Sequence, residues 1–280
     1  MSNCKIKLFL LILFLLYTNS IAYSKNIYPE RIISLSPSIT EQLYLLGAQD
    51  KIIGVTTYCL NPPDAQKKEK VGTVIDVNIE KILSLKSDLV ITTPLTNIKA
   101  KEKFNNLGIK NINFPQAKNF TELCSQFLKL GSLTGEKDTA EEIIKKTKIE
   151  IDLIKKTIKH QTKPKVFIQL GAKPLFTITK DSFINDFIEF AGGINIYSRT
   201  ETGLCSREDV LGQNPDVIII INMGIISENE KNIWNKYKTI NAVENKRIYI
   251  LDAYSLCSPT PVSFVETLKK LVEIFNHANK

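Results

Sequence analysis

Residues 136–162 contain no glycine and no proline. Ile143, Ile144, Thr147, Ile151, Ile154 and Ile158 recur there at helical spacing. The stretch predicts one long amphipathic helix, on the order of 37 Å if continuous, with its charged faces in water. Lys163-Pro164 ends it. A rod of this length in mid-chain divides the sequence into two halves that must each find their own core.

Both halves alternate strand-like and helix-like stretches. In the first, 31–36, 51–58, 88–92 and 111–114 read as strands, and 79–85 and 99–107 as helices. Ser38, with Glu41 three residues on, reads as a capping box opening a helix through Leu46, which Gly47 ends. After the long helix, strands at 165–170, 216–221 and 247–251 alternate with helices at 181–191, 231–237 and 262–277. This order predicts an α/β fold: two Rossmann-like lobes, each a mostly parallel sheet flanked by helices, joined by one long rigid helix. The expected divisions are a lobe over 23–135, the linking helix over 136–162 and a second lobe over 163–280.

A local repeat supports two similar lobes. Glu80-Lys-Ile-Leu83 is followed by Asp88-Leu-Val-Ile91, and Glu208-Asp-Val-Leu211 by Asp216-Val-Ile-Ile219. In each half a glutamate opens a short apolar helix, where the helix dipole favours it. An aspartate eight residues later opens a strand.

The chain of 280 residues is 43% hydrophobic and 24% charged, a globular balance. Its formal charge of +8 comes from lysines spread along the whole length, with no basic stripe for nucleic acid. Lys5 and Lys7 precede an apolar run over 8–17, and Ser20-Ile21-Ala22 supplies small residues, so 1–22 reads as a secretory signal peptide cut after Ala22. Cys4 lies before the apolar run and so is not a lipid-bearing cysteine. The expectation is a protein free in a periplasm. Cys59, Cys124, Cys205 and Cys257 remain, without metal-ligand spacing. The only histidines, His160 and His277, have no partner nearby in sequence. No resident metal or cofactor is expected, and no catalytic residue is assigned. A secreted cysteine hydrolase would need Cys59, Cys205 or Cys257 to meet one of those histidines, and no GxSxG is present.

Several segments share their order and spacing with one family: Arg31-Ile-Ile-Ser-Leu-Ser-Pro-Ser-Ile-Thr-Glu41, Tyr58 with Pro62-Pro63, Asn78-Ile-Glu80, Lys86-Ser-Asp-Leu-Val-Ile91, Val166-Phe-Ile-Gln-Leu-Gly171, Pro174-Leu-Phe-Thr177, Ala191-Gly-Gly-Ile-Asn195 and Ser206-Arg-Glu208. On these the chain resembles the periplasmic vitamin B12-binding proteins and the wider class of two-lobed binders that serve importers of cobalamin, haem and iron-siderophores. The resemblance implies a ligand held in a cleft between the lobes, limited closure about a rigid helix, and delivery to an ABC importer permease by a monomer. It implies that Glu80 and Glu208, one on each lobe, meet arginines of that permease. The ligand itself would carry any cobalt or iron.

For the cleft, the resemblance points to Tyr58 and Phe176, which match a cleft tyrosine and phenylalanine. Ser36 stands before a helix whose N–H groups suit a polar ligand group. Where the family has cleft tryptophans this chain has Val74 and Thr93, and the third falls near Thr202. That loss of aromatic area points to a ligand that is smaller, differently held, or not a corrinoid. Cys59, Cys205 and Cys257 map to cleft-facing loops, and Cys124 to a helix. A Cys205–Cys257 disulfide is the preferred reading, and thiolate ligation of a metal centre in the ligand the other. Asp252 and Tyr254 complete the expected ligand-binding set. Haem or an iron-siderophore is the alternative ligand. Arg199 and Arg207 are the nearest cations for an anionic chelate, and Arg207 belongs to the docking motif.

Overall fold

The computed structural model describes residues 28–159, 162–222 and 226–277. The expected signal peptide and His160 lie outside them. The first half folds as β1 (Ile32–Ser34), α1 (Pro37–Leu45), β2 (Ile52–Val55), α2 (Ile79–Ser84), β3 (Leu89–Thr92), α3 (Ile98–Asn106) and β4 (Asn111–Asn113). Its strands pair in parallel in the order β2-β1-β3-β4. The reason is legible in the strands themselves. Ile32, Leu89 and Ile91 enter one core cluster, with Leu43 and Phe127, while Ile33 and Val90 enter another, with Ile82 and Phe104. Strands apolar on both faces need cover on both faces, which a parallel sheet with crossover helices supplies.

The second half begins with α4 (Phe120–Thr134) and α5 (Lys137–Lys155). These lead into β5 (Lys165–Ala172), β6 (Leu175–Thr177), α6 (Phe183–Phe190), β7 (Ile194–Asn195), α7 (Arg207–Gln213) and β8 (Val217–Asn222). The chain closes with α8 (Ile226–Trp234), α9 (Asn241–Glu244), β9 (Ile248–Asp252), α10 (Ala253–Cys257) and α11 (Pro261–His277). The sheet order is β6-β5-β8-β9, with β7 also on β5, and only β6 is antiparallel. Val217, Ile219 and Ile221 of β8 face one core cluster, and Ile218 and Ile220 the other.

The link between lobes is a helix pair. α5 puts Ala140 and Ile143 in the N-lobe core and Ile151 and Ile154 in the C-lobe core. α4 runs the other way, with Phe120, Leu123 and Cys124 in the C-lobe core and Phe127 and Leu130 in the N-lobe core. The two helices touch where a side chain is missing: a Cβ on Gly131 would lie 2.7 Å from that of Ala140. Two packed helices resist bending more than one does. α5 stops at Lys155, short of the expected end, because the chain beyond it is tied elsewhere. Thr157 Oγ1 donates back to the Ile154 carbonyl (2.7 Å), and Lys159 N–H donates to Asn276 Oδ1 on α11 (2.9 Å).

The sequence repeat has a structural cause. Asp88 Oδ2 accepts the Arg31 N–H (2.9 Å), and Asp216 Oδ2 the Lys165 N–H (2.8 Å). Each aspartate thus ties the start of its lobe's first strand to the strand beside it. Lys86 and Asn214, at matching positions just past the two helices, both turn through φ +47°. Asn78 and Ser206 cap the helices, accepting the N–H of Lys81 and of Asp209. Glu80 and Glu208 are exposed in the first turns of α2 and α7.

The predicted box at Ser38 does not form. α1 starts at Pro37 behind Ser36, so Ser38 is already helical and its Oγ accepts from Gln42 Nε2 (3.1 Å). Glu41 instead reaches across to the other lobe and accepts the Tyr254 hydroxyl.

Candidate ligand cleft and docking surface

Parallel sheets present ligands beyond the carboxyl ends of their strands, and this cleft is built there. Ser36-Pro37 follows β1, Thr93-Pro94 follows β3, and Phe114-Pro115 follows β4. All six residues line a cavity of about 330 Å³. Tyr58 and Val74 complete its N-lobe wall, Leu123 and Gln126 of α4 its back, and Phe183, Cys257 and Pro259 its C-lobe wall. A second cavity of about 570 Å³ lies against the C-lobe, with Phe176, Thr202 and Leu204. Gln116, Phe183 and Cys257 line both, so the two spaces form one inter-lobe cleft. Their sizes fall in the range of small-molecule sites.

Ser36, Tyr58, Val74 and Thr93 are brought together in the first cavity, and Phe176 is in the second. Tyr58 is 60% exposed and Phe176 40%, too open for core aromatics, so both rings face the cleft. Thr93 Oγ1 is buried at the cavity without a partner among the described residues.

Other expected contacts lie elsewhere. Cys59 is buried in the N-lobe core, its sulfur 3.2 Å from Thr40 Oγ1 and from Thr56 Oγ1. The turn after Tyr58 points consecutive side chains in opposite directions. Cys205 packs against the C-lobe cluster that holds Phe167 and Trp234. Cys257 packs against the cluster on the sheet's other face. The sheet separates them, and both thiols are free, as are Cys59 and Cys124. Burial pushes the Cys257 thiol up to about 11, so at neutral pH it meets the cleft as a thiol. Asp252 caps α10, accepting the Ser255 N–H (2.9 Å), and Tyr254 bonds Glu41, so neither lines the two cavities. No cluster of metal-ligating side chains occurs among the described residues.

Sequence reading missed Gln116, Gln126, Leu95 and Phe183. One signal was available for Gln116: an X-Pro step just past a strand marks where the chain turns at the sheet's ligand end. Among the described residues, every side chain lining the first cavity is uncharged.

Residues 32–255 match the model of the periplasmic binding protein family. The chain belongs to that family. It is 31% identical over 256 residues to an uncharacterized ABC transporter substrate-binding lipoprotein of Bacillus subtilis, covering 88% of this chain and 79% of the relative. It is 30% identical over 251 residues to the vitamin B12-binding protein of Vibrio cholerae, covering 89% and 90%. The crystal structure of the periplasmic vitamin B12 binding protein of Vibrio cholerae superposes with a TM-score of 0.76 at 27% identity, over 90% of this chain and 98% of that one. As a periplasmic binding protein the chain serves ABC import, and the inter-lobe position of its cleft is that of a solute site.

Proposed function

We propose that the protein captures an uncharged ring-type ligand, a corrinoid such as cobalamin, in the inter-lobe cleft and hands it to an inner-membrane ABC importer. It acts as a monomer in the periplasm after removal of the segment 1–22. One observation carries the ligand class. Among the described residues the first cavity has no ionised side chain, while it has apolar walls, free amides and the Tyr58 ring. A ligand bearing carboxylates would leave its charges unpaired there, at a cost of several kcal/mol or more. A corrinoid presents a broad apolar ring edged with neutral amides. Vitamin B12 binding by relatives that align over nearly the whole chain supports the same reading.

Delivery rests on Glu80 and Glu208. They are exposed, in equivalent first turns, one on each lobe. Two exposed carboxylates, one on each lobe, make a clamp for two cationic patches, fixing orientation and speeding encounter more than adding affinity.

Calorimetric titration of the purified protein with cyanocobalamin should give saturable one-to-one binding. No heat and no rise in melting temperature would sink the corrinoid reading. Cells carrying Glu80→Ala with Glu208→Ala should lose cyanocobalamin uptake while the purified variant still binds the ligand. Normal uptake would remove the docking role.

A further inference from the structure

The back of the cleft belongs to neither sheet; it is made by the chain that crosses between the lobes. Gln116 sits in the crossing after β4, between Phe114 in the N-lobe core and Ala117 in the C-lobe core, and lines both cavities. Gln126 lies on α4 one turn after Leu123, and both face the first cavity. The third glutamine there, Gln42, spends its amide nitrogen on Ser38 Oγ. Gln116 and Gln126 differ from it: among the described residues neither carboxamide has a protein partner. Beside them Thr93 Oγ1 is buried and unpartnered in the same uncharged cavity. The buried Thr93 hydroxyl is the group that lacks a partner, while the two carboxamides, exposed and half-buried, are open to water and free to turn toward a ligand.

We infer that Gln116 and Gln126 form an amide-reading wall that selects ligands edged with neutral carboxamides over ligands edged with carboxylates. This rests on the corrinoid reading of the same cleft and names the groups of that ligand which are recognised. A glutamine carboxamide both donates and accepts, so it pairs with another carboxamide in two hydrogen bonds. A carboxylate only accepts: it satisfies the glutamine N–H and sets its second oxygen against the glutamine oxygen. Among the described residues no lysine or arginine lines the first cavity to offset that charge.

The test titrates the full protein with cyanocobalamin and with its monocarboxylates, in each of which one peripheral amide is hydrolysed to the acid. The wild-type protein should bind cyanocobalamin about tenfold or more tighter than at least one monocarboxylate, the scale of a polar group left unpaired. Gln116→Met and Gln126→Met keep length and remove the amide. Each should weaken cyanocobalamin binding by roughly three- to tenfold and shrink the discrimination against the acid. Gln126→Arg should reverse the preference toward an acid. Gln116 is on an exposed loop, so its variant reports even where a change on α4 disturbs folding. Unchanged affinities in Gln116→Met and in the double Met variant, with cyanocobalamin still bound, overturn the amide wall and leave the corrinoid reading standing. Failure of the wild-type protein to bind cyanocobalamin overturns the corrinoid reading first, and the amide wall with it.

Discussion

Behind α2 in the N-lobe stand Ile79 and Leu35; at the matching places behind α7 in the C-lobe stand Arg207 and Gln169. The correspondence follows from the strands, since Ile32 pairs Leu89 as Val166 pairs Val217, each just past the tying aspartate. The N-lobe position is filled with apolar contacts, among Ile33, Ile82, Val90 and Phe104. The C-lobe position holds a buried polar chain. Arg207 donates to Glu230 (2.5 Å), which also accepts from Gln169 Nε2 (2.7 Å), and Gln169 Oε1 accepts from Trp234 Nε1 (2.7 Å). The guanidinium lies 4.6 Å over the Trp234 ring. One backbone unit is thus held in two ways. Packing fixes a helix's distance from its sheet but is tolerant in rotation, whereas a chain of directed hydrogen bonds also fixes rotation. Arg207 immediately precedes Glu208, so the C-lobe carboxylate stands on the directionally fixed helix. Beside Glu80 the ion pair is Lys81–Glu69 (2.8 Å), which is solvent-exposed and contributes little.

The comparison breaks most visibly at Glu230, whose side chain is 4% exposed. Glu230→Ala leaves Arg207 buried without its counter-charge and should cost about 3–5 kcal/mol in urea unfolding. Replacing Arg207 and Glu230 together with methionine and leucine should recover part of that loss, leaving about 1–3 kcal/mol for the buried Gln169 amide that loses its acceptor. If the double replacement costs as much as the single one, the two backings are not interchangeable. In the N-lobe, Leu35→Ala should cost about 2–5 kcal/mol by opening a cavity, with no rescue by a second polar change. The shared part of the unit predicts equality. Asp88→Ala and Asp216→Ala should each cost about 1 kcal/mol, and values differing by more than twofold would argue against a common role.

The smallest effect concerns Glu41, which joins the lobes through Tyr254. Burial raises its carboxyl above the ordinary 4.5; the Tyr254 bond opposes this and Glu266 adds to it. The folded chain then holds this proton more tightly than the unfolded chain. Its contribution to stability is full below about pH 4.5 and is lost as pH rises through the folded value. Glu41→Gln should therefore flatten the fall in melting temperature between about pH 4 and pH 7. A variant curve parallel to the wild-type curve would show that Glu41 titrates normally.

Much of the fold was legible because parallel strands buried on both faces leave continuous apolar runs, and because Asp88 and Asp216 repeat for a mechanical reason. The exposed pair Glu80 and Glu208 was legible for the same reason. α4 was not, although Asn119 caps it, because Gly131 interrupts its pattern where α5 comes close. Side-chain direction was hidden at the cysteines. Cys59 follows a cleft residue yet turns into the core, and Cys205 and Cys257 lie against opposite faces of one sheet. The glutamines were hidden because neutral amides have no spacing rule. Their meaning comes only from what surrounds them.

The central claim is that a cleft lined by no lysine or arginine among the described residues makes this a carrier of a neutral, amide-edged ring. Equilibrium dialysis against an equimolar mixture of cyanocobalamin and haemin measures it directly, since the two are broad metal-bearing rings that differ in edge charge. The account predicts that cyanocobalamin is retained with the protein and haemin is not. Retention of haemin in preference to cyanocobalamin would contradict it.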